Sequence, residues 1–461
     1  MGEVAQGALP PAFQAFARSH PAQLEYLGAE GIPFVHCRDA SSPSVALAFF
    51  LRAGVLYESP QEWGMSHFLE HVLMRSTQAY ASLYELSRKI EGIGGQTSAY
   101  STRDLVGYWV KIPAGQEAAG LDVLAHILFG SDIRPEAIAA ERAIIAQERV
   151  RERTNPSLFT SLAVESLLLE PHPISRHPVG EDAFLQALTP GQLNQFLGRV
   201  YNRTNLVVVG AGNLAANVGD LISAAAARCR LGDAVVPADF TLPDRWQGWP
   251  AGKQRVVIVP SAHKEQVFVA LAWRFPVTSR RELLAARVLN TLLGAGYTSL
   301  LNVTLRERES LTYVCSTATN YYAQVAGGAA DSGGTGIFKV HMGVNKRNLA
   351  RSLELLHAII ADVAQEHVSP DIFAEAKVRH AASVVYRYEN SLDVARLLAH
   401  AWVREGYLQD LDEYLRMIES VSLEEVSALA RQWLTESDNT LLLQTGAPEV
   451  EALYPQARRW E

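Results

Sequence analysis

Apolar positions along the chain fall into two successive blocks with the same order of patterns. In the first, LEYLGAEGIPFVHC and SVALAFFLRAGVLY have the apolar runs of strands, a long stretch of helical spacing follows, and the β-branched run NLVVVG closes the block. The second opens with QRVVIVP and EQVFVALAWRF. It continues through helical patterns over Arg280–Leu293 and Ser299–Arg308, strand patterns in LTYVCSTATNYY and IFKVHMGV, further helices from Asn348 to about Leu434, and a last strand, TLLLQT. Between the blocks, residues 232–253 (GDAVVPADFTLPDRWQGWPAGK) hold three glycines, three prolines and two tryptophans, a composition suited to a tether. Strands and helices that come in separate groups predict α+β layers rather than an alternating parallel sheet. The expected organisation is a duplicated α+β unit, with domains at 1–231 and 254–461 joined by a linker at 232–253.

One helical segment carries chemistry as well as pattern. In GMSHFLEHVLMRS, residues Met65, Phe68, Leu69, Val72 and Leu73 form an apolar stripe, while His67, Glu70, His71 and Met74 share the other face. Two imidazoles one helical turn apart point the same way and suit a zinc ion, with Glu70 beside them able to hold a water. The plainer alternative is a polar helix face with two hydrogen-bonded histidines. A third protein ligand is needed, and the helix pattern in SDIRPEAIAAERAIIAQERVRER offers Glu141 and Glu148, two turns apart on one face. One carboxylate would bind the metal and the other hold a ligand histidine. The same segment also reads as a surface helix laced with ion pairs, and composition does not choose between them.

At 461 residues the chain is too long for one ordinary core, and 48% hydrophobic with 20% charged residues is a globular composition. A net charge of −8 leaves no basic field for a phosphate backbone, so nucleic acid is not expected as a partner. Cys37, Cys229 and Cys315 form no CxxC pair, which argues against a disulfide framework and a thiolate metal site and suits a reducing compartment. The opening MGEVAQGALPPAFQAFARSH lacks the pattern of a secretory leader. No later apolar run approaches the roughly 20 residues that span a bilayer, so a cytoplasmic protein with no membrane partner is expected.

HFLEH matches the inverted HxxEH motif, and the chain resembles the pitrilysin/insulinase family of zinc metallopeptidases, closest in size to its processing-peptidase branch. The likeness extends over nearly the whole chain. RAGVLYESPQEWGMSHFLEH is similar to the family's strand-to-helix entry, GGQTSAYSTRDLVGYWVKIP to its edge strand, and LLGAGYTSLLNVTLRERESLTYVCSTATNYY to the segment with its arginine–tyrosine pair. The resemblance implies two α/β-sandwich domains forming one half of a clamshell. Of the two acidic candidates, Glu148, 77 positions after His71, stands where the family places its third zinc ligand, which makes His67, His71 and Glu148 the ligands. Glu70 would then be the general base and Glu141 would orient a ligand. Arg306 and Tyr313 would bring donors to the substrate carbonyl from the opposing shell of a homodimer, or of a heterodimer with a related subunit.

A peptide substrate would add as a strand along Ser98, Ala99 and Tyr100. Ser98 and Ser101 stand where the family usually has Asn and Thr, and Met74 where it usually has Phe, so the usual side-chain preference does not carry over directly. The resemblance also leaves a non-catalytic reading, since some relatives are structural or partner subunits; those typically lose zinc ligands or the base, which this chain keeps.

Three further features invite other readings. PHPISRHP, with His172 and His177, has three prolines and no neighbouring acidic or thiol ligands, and reads as a rigid loop. NLVVVGAGNLAANVG has the GxGxxA spacing of a dinucleotide fingerprint at Gly210, Gly212 and Ala215, the basis for an oxidoreductase as the remaining rival. The glycine-rich stretch 325–336 reads as a hairpin connection rather than a substrate lid.

Overall fold

The computed structural model of the chain describes residues 8–29, 31–75, 77–233, 254–323, 333–436 and 439–460. These form two mixed sheets of six strands. The first is built from β1 (Ala22–Leu27), β2 (Ile32–Arg38), β3 (Ser44–Leu51), β4 (Gln96–Ser101), β5 (Val106–Pro113) and β6 (Leu206–Gly212), in the order β1-β2-β6-β3-β5-β4. The second comprises β7 (Arg255–Pro260), β8 (Gln266–Val277), β9 (Thr312–Ala323), β10 (Gly334–Asn345), β11 (Thr440–Thr445) and β12 (Arg458–Arg459), in the order β12-β7-β11-β8-β10-β9. From the second position on, the two orders and strand directions coincide: β2 is parallel to β6 as β7 is to β11, and the remaining pairs are antiparallel. The first position breaks the match, because β1 runs antiparallel to β2 and β12 parallel to β7. The duplicated α+β unit expected from the repeating pattern is therefore present as a duplicated topology.

Central strands such as β3 (SVALAFFL) and β6 (LVVVGAG) are buried along almost their whole length, because helices cover both faces of the sheet. What the pattern does not convey is which helices do so. The helix Pro156–Leu169, apolar nearly all round, belongs to the first half of the sequence but packs on β8, β10 and β11 of the second sheet. There its Val164, Leu167, Leu168 and Leu169 join Val257, Ala270, Ile337 and Leu442 in one core cluster. In the opposite direction, the helix Ser391–Glu405 packs on β2, β3 and β6 of the first sheet. Each leucine so buried contributes roughly 1.5–3 kcal/mol, so the exchange ties the two sheets together.

Local departures from the expected elements have identifiable causes. The apolar run after β3 leaves the sheet at Gly54 (φ +101°) and becomes a short 3₁₀ turn, Val55–Tyr57. Over Asn302–Arg308 the helix is wound with π-type bonds, the Glu309 N–H reaching back to the Thr304 carbonyl, a one-residue widening that periodicity does not register. At the dinucleotide-like spacing, β6 has antiparallel β3 on one side, and a Cβ on Gly212 (φ +99°) would come 2.2 Å from the Ser44 carbonyl. The Ala215 N–H, which would face a phosphate in a nucleotide site, donates instead to the buried Glu117 carboxylate at 3.0 Å. These glycines serve strand packing. Most of the tether at 232–253 and of the stretch 325–336 lies outside the described residues. All three cysteines are buried and unpaired.

Candidate metal centre

The helix Met65–Arg75 buries Met65, Phe68, Leu69, Val72 and Leu73 in the core of the first half. Its N-terminus is held by Glu58, whose buried carboxylate accepts from the backbone N–H groups of Gly64 (2.8 Å) and Ser66 (2.7 Å). The Ser66 hydroxyl in turn accepts from the Gly54 N–H at 2.7 Å. The helix is thus fixed at its start and along its apolar face, and His67, Glu70 and His71 project from the remaining side.

The helix Pro135–Thr154 packs against it and brings up both candidate glutamates. Glu148 Oε2 lies 3.5 Å from His67 Nε2 and 3.5 Å from His71 Nε2. The three donor atoms all fall within 4.8 Å of one another, and they make the one group of potential metal ligands found among the described residues. Around a tetrahedral zinc with bonds of about 2.0–2.1 Å, donors stand about 3.3 Å apart, so two edges are close to the required length and the histidine–histidine edge would close by up to about 1.5 Å. Two imidazoles and a carboxylate are also the donor set of a catalytic zinc site with an open position. The His67 and His71 side chains are 10% and 19% exposed and that of Glu148 41%, so the cluster is walled on the histidine side and open beside the carboxylate.

Glu141 occupies the other side of the His71 ring. Its Oε2 accepts from His71 Nδ1 at 3.1 Å and its Oε1 from Arg75 at 2.7 Å. Burial pushes the Glu141 carboxyl up, but the bonds from His71 and Arg75 outweigh it and the net shift is downward. Burial likewise disfavours a charged His71, yet Glu141 and Glu148 together raise its pKa to about 10. His67 moves the other way, lowered by burial and then by the neighbouring His71, and its buried Nδ1 has no hydrogen-bond partner among the described residues. Glu70 lies against this cluster, where burial raises its carboxyl above the usual range against the opposing pull of His71 and Ser101. Arg75 and Glu58 were not singled out from sequence; Arg75, four residues after His71, is the one a helical-face argument would have reached.

Strand β4 runs along the edge of the first sheet and packs against the Met65–Arg75 helix, which places Ser98, Ala99 and Tyr100 beside the cluster. The Tyr100 side chain turns away toward the helix Ser391–Glu405, its hydroxyl 3.0 Å from His400 Nε2, which leaves the main chain of the strand as its outward-facing edge. Arg306 and Tyr313 are together but elsewhere. Arg306, in the widened turn, lies 4.9 Å from the centroid of the Tyr313 ring, and Tyr313, at the start of β9, is 79% exposed. Neither has a hydrogen bond or ion pair to the histidine cluster among the described residues. His172 accepts from the Ile174 N–H and His177 meets Glu152 at 2.9 Å, so the proline-rich loop uses its histidines structurally.

Residues 34–177 match the insulinase (peptidase family M16) model and residues 187–379 that of the peptidase M16 inactive domain. The chain is 24% identical over 407 residues to an uncharacterized zinc protease of Mycobacterium tuberculosis, covering 88% of both, and 22% identical to the uncharacterized zinc protease YmxG of Bacillus subtilis, covering 89% of this chain and 95% of that one. In fold it is similar to a protease from Helicobacter pylori, with a TM-score of 0.76, 19% identity, and 92% of this chain and 99% of that one covered. It also superposes on the periplasmic protease PqqL of Escherichia coli (TM-score 0.70, 16% identity), where 94% of this chain covers 48% of the longer one. No helix among the described residues is long and apolar enough to cross a membrane. Two adjoining family models, and relatives named as zinc proteases, agree with the inverted motif: the chain belongs to peptidase family M16, the insulinase family.

Proposed function

We propose that the chain is a zinc-dependent endopeptidase acting on peptides or unfolded segments inside a dimeric chamber. The observation that carries this reading is the convergence of His67 Nε2, His71 Nε2 and Glu148 Oε2 beside the Glu70 carboxyl. These three side chains would hold a zinc ion, which when bound would supply Lewis acidity toward a carbonyl and lower the pKa of a water. Glu70 takes the proton of the attacking water and returns it to the leaving amine, a role suited to a carboxyl beside the cluster whose burial raises its pKa. Glu141 holds His71 through Nδ1 so that Nε2 faces Glu148, and Arg75 fixes Glu141 in turn. The main-chain edge of β4 pairs with an extended substrate, a grip indifferent to sequence.

Arg306 and Tyr313 supply the remaining donors, to the carbonyl oxygen as charge develops on it. Because they sit at the edge of the other sheet, they serve the cluster of a second subunit: another copy of this chain, or a related chain. The buried unpaired thiols suit a reducing, cytoplasmic setting.

The test is Glu70→Gln. We expect the purified variant to retain zinc in full and to lose peptide cleavage by at least about a hundredfold. Retained cleavage would remove Glu70 from the mechanism, and zinc without cleavage by the unaltered chain, both alone and mixed with a related subunit, would make it a non-catalytic subunit. Mixing Glu70→Gln chains with Arg306→Ala chains tests the shared site, since only a homodimer regains activity at one of its two centres.

A further inference from the structure

Arg306 has two aromatic neighbours where the arginine–tyrosine pair accounts for one. Its guanidinium carbon lies 4.9 Å from the centroid of Tyr313 and also 4.9 Å from that of Tyr297, both within the range of a cation–π contact. Tyr297 and Tyr313 are 71% and 79% exposed, among the most exposed large side chains described, so neither ring is placed by burial in a core. Their backbones, by contrast, are fixed to each other. Tyr297 follows Gly296, whose φ of +91° suits glycine, and the carbonyl of Gly296 accepts from Asn302 Nδ2 at 3.2 Å. The same buried amide donates to the Cys315 carbonyl at 3.0 Å, two residues beyond Tyr313. Asn302 therefore ties the turn that carries Tyr297 to the strand that carries Tyr313, and Arg306 rises from the widened turn between them.

We propose that Tyr297 is a positioning residue for Arg306: the face of its ring holds the guanidinium in the place from which, with Tyr313, it meets the substrate carbonyl. This rests on the reading of Arg306 and Tyr313 as carbonyl donors. An arginine on an exposed turn otherwise has many rotamers to lose and a competing partner, here the Glu307 carboxylate 3.5 Å from its Nε. Contact with both rings presets the fork and leaves its outward N–H groups free. Tyr297 acts through its ring, so its hydroxyl is dispensable; Tyr313 acts through its hydroxyl, so its ring alone does not suffice.

The two tyrosines therefore respond oppositely to the same change. With the zinc-loaded full-length chain and an internally quenched fluorogenic peptide, Tyr297→Ala should lower kcat about tenfold with little change in KM or thermal midpoint. Tyr297→Phe should restore most of that rate, whereas Tyr313→Phe should lose it. Tyr297→Ala added to Arg306→Ala should cost little more than Arg306→Ala alone. If Arg306→Ala is slow but Tyr297→Ala is as fast as the unaltered chain, or if Tyr297→Phe is as slow as Tyr297→Ala, the role of Tyr297 is overturned and that of Arg306 stands. An Arg306→Ala variant as active as the unaltered chain, or an unaltered chain that cleaves nothing either alone or with a related subunit, removes the underlying reading and this proposal with it.

Discussion

His71 Nδ1 and Glu141 Oε2 are 3.1 Å apart, on the side of the imidazole opposite the nitrogen that faces Glu148. One ring is thus held from behind by a carboxylate that is itself anchored on Arg75 at 2.7 Å. Such partners fix the tautomer and orientation of a ligand, and their removal typically costs 10–100-fold in metal affinity. For Glu141→Gln, zinc affinity measured by competition with a chromophoric chelator should fall roughly within that range while the fold is kept. Unchanged affinity would mean that Glu141 is only a buried ion-pair partner of Arg75.

A second prediction concerns the exchanged helix. Glu165, on the helix Pro156–Leu169, is buried among Lys339 (2.6 Å), Arg103 (3.6 Å) and the Tyr322 hydroxyl. Burial opposes its charge, but Lys339 and Arg103 outweigh this and its pKa is lowered. Glu165→Leu leaves two buried cations without their shared carboxylate, which should destabilise the chain by roughly 3–5 kcal/mol. Chemical denaturation of the metal-free protein measures this; a loss below about 1 kcal/mol would show that the network is not stabilising in the sense argued.

Acid sensitivity should come partly from His380. It is buried between the Thr291 hydroxyl (3.3 Å) and the Tyr414 hydroxyl (3.2 Å), and burial, then Arg287 and Arg387, lower its pKa to about 3. The unfolded chain takes up this proton near pH 6.5 and the folded chain only near pH 3, so the contribution is complete above about pH 6.5 and is lost as pH falls from there toward 3. In His380→Gln the thermal midpoint should decline less steeply between pH 6.5 and 4. Parallel declines in the two proteins would remove His380 from the explanation.

Gly212 separates packing from ligand binding at the dinucleotide-like spacing. A Cβ there meets the Ser44 carbonyl at 2.2 Å in a backbone with φ +99°, so Gly212→Ala should cost roughly 2–4 kcal/mol. Binding of NAD, followed by fluorescence, should be absent before and after the change; saturable binding would reopen the nucleotide reading.

Much of the architecture was already legible in residue order. Alternation and run length marked strands such as β3, β6, β8 and β11, and the repeat of strand groups and helix groups announced the duplication. The seven-residue offset that puts Glu141 and Glu148 on one helix face and the four-residue offset of His67 and His71 follow from the helical repeat alone. Periodicity reports which side of an element is buried, however, and is silent on what buries it. That the helix of Glu148 lies against the helix of His71, and that Pro156–Leu169 and Ser391–Glu405 cross to the opposite sheets, depends on which distant apolar faces fit together. Each arises from close approach between segments whose spacing along the chain carries no signal, and folding alone converts their chemistry into a site.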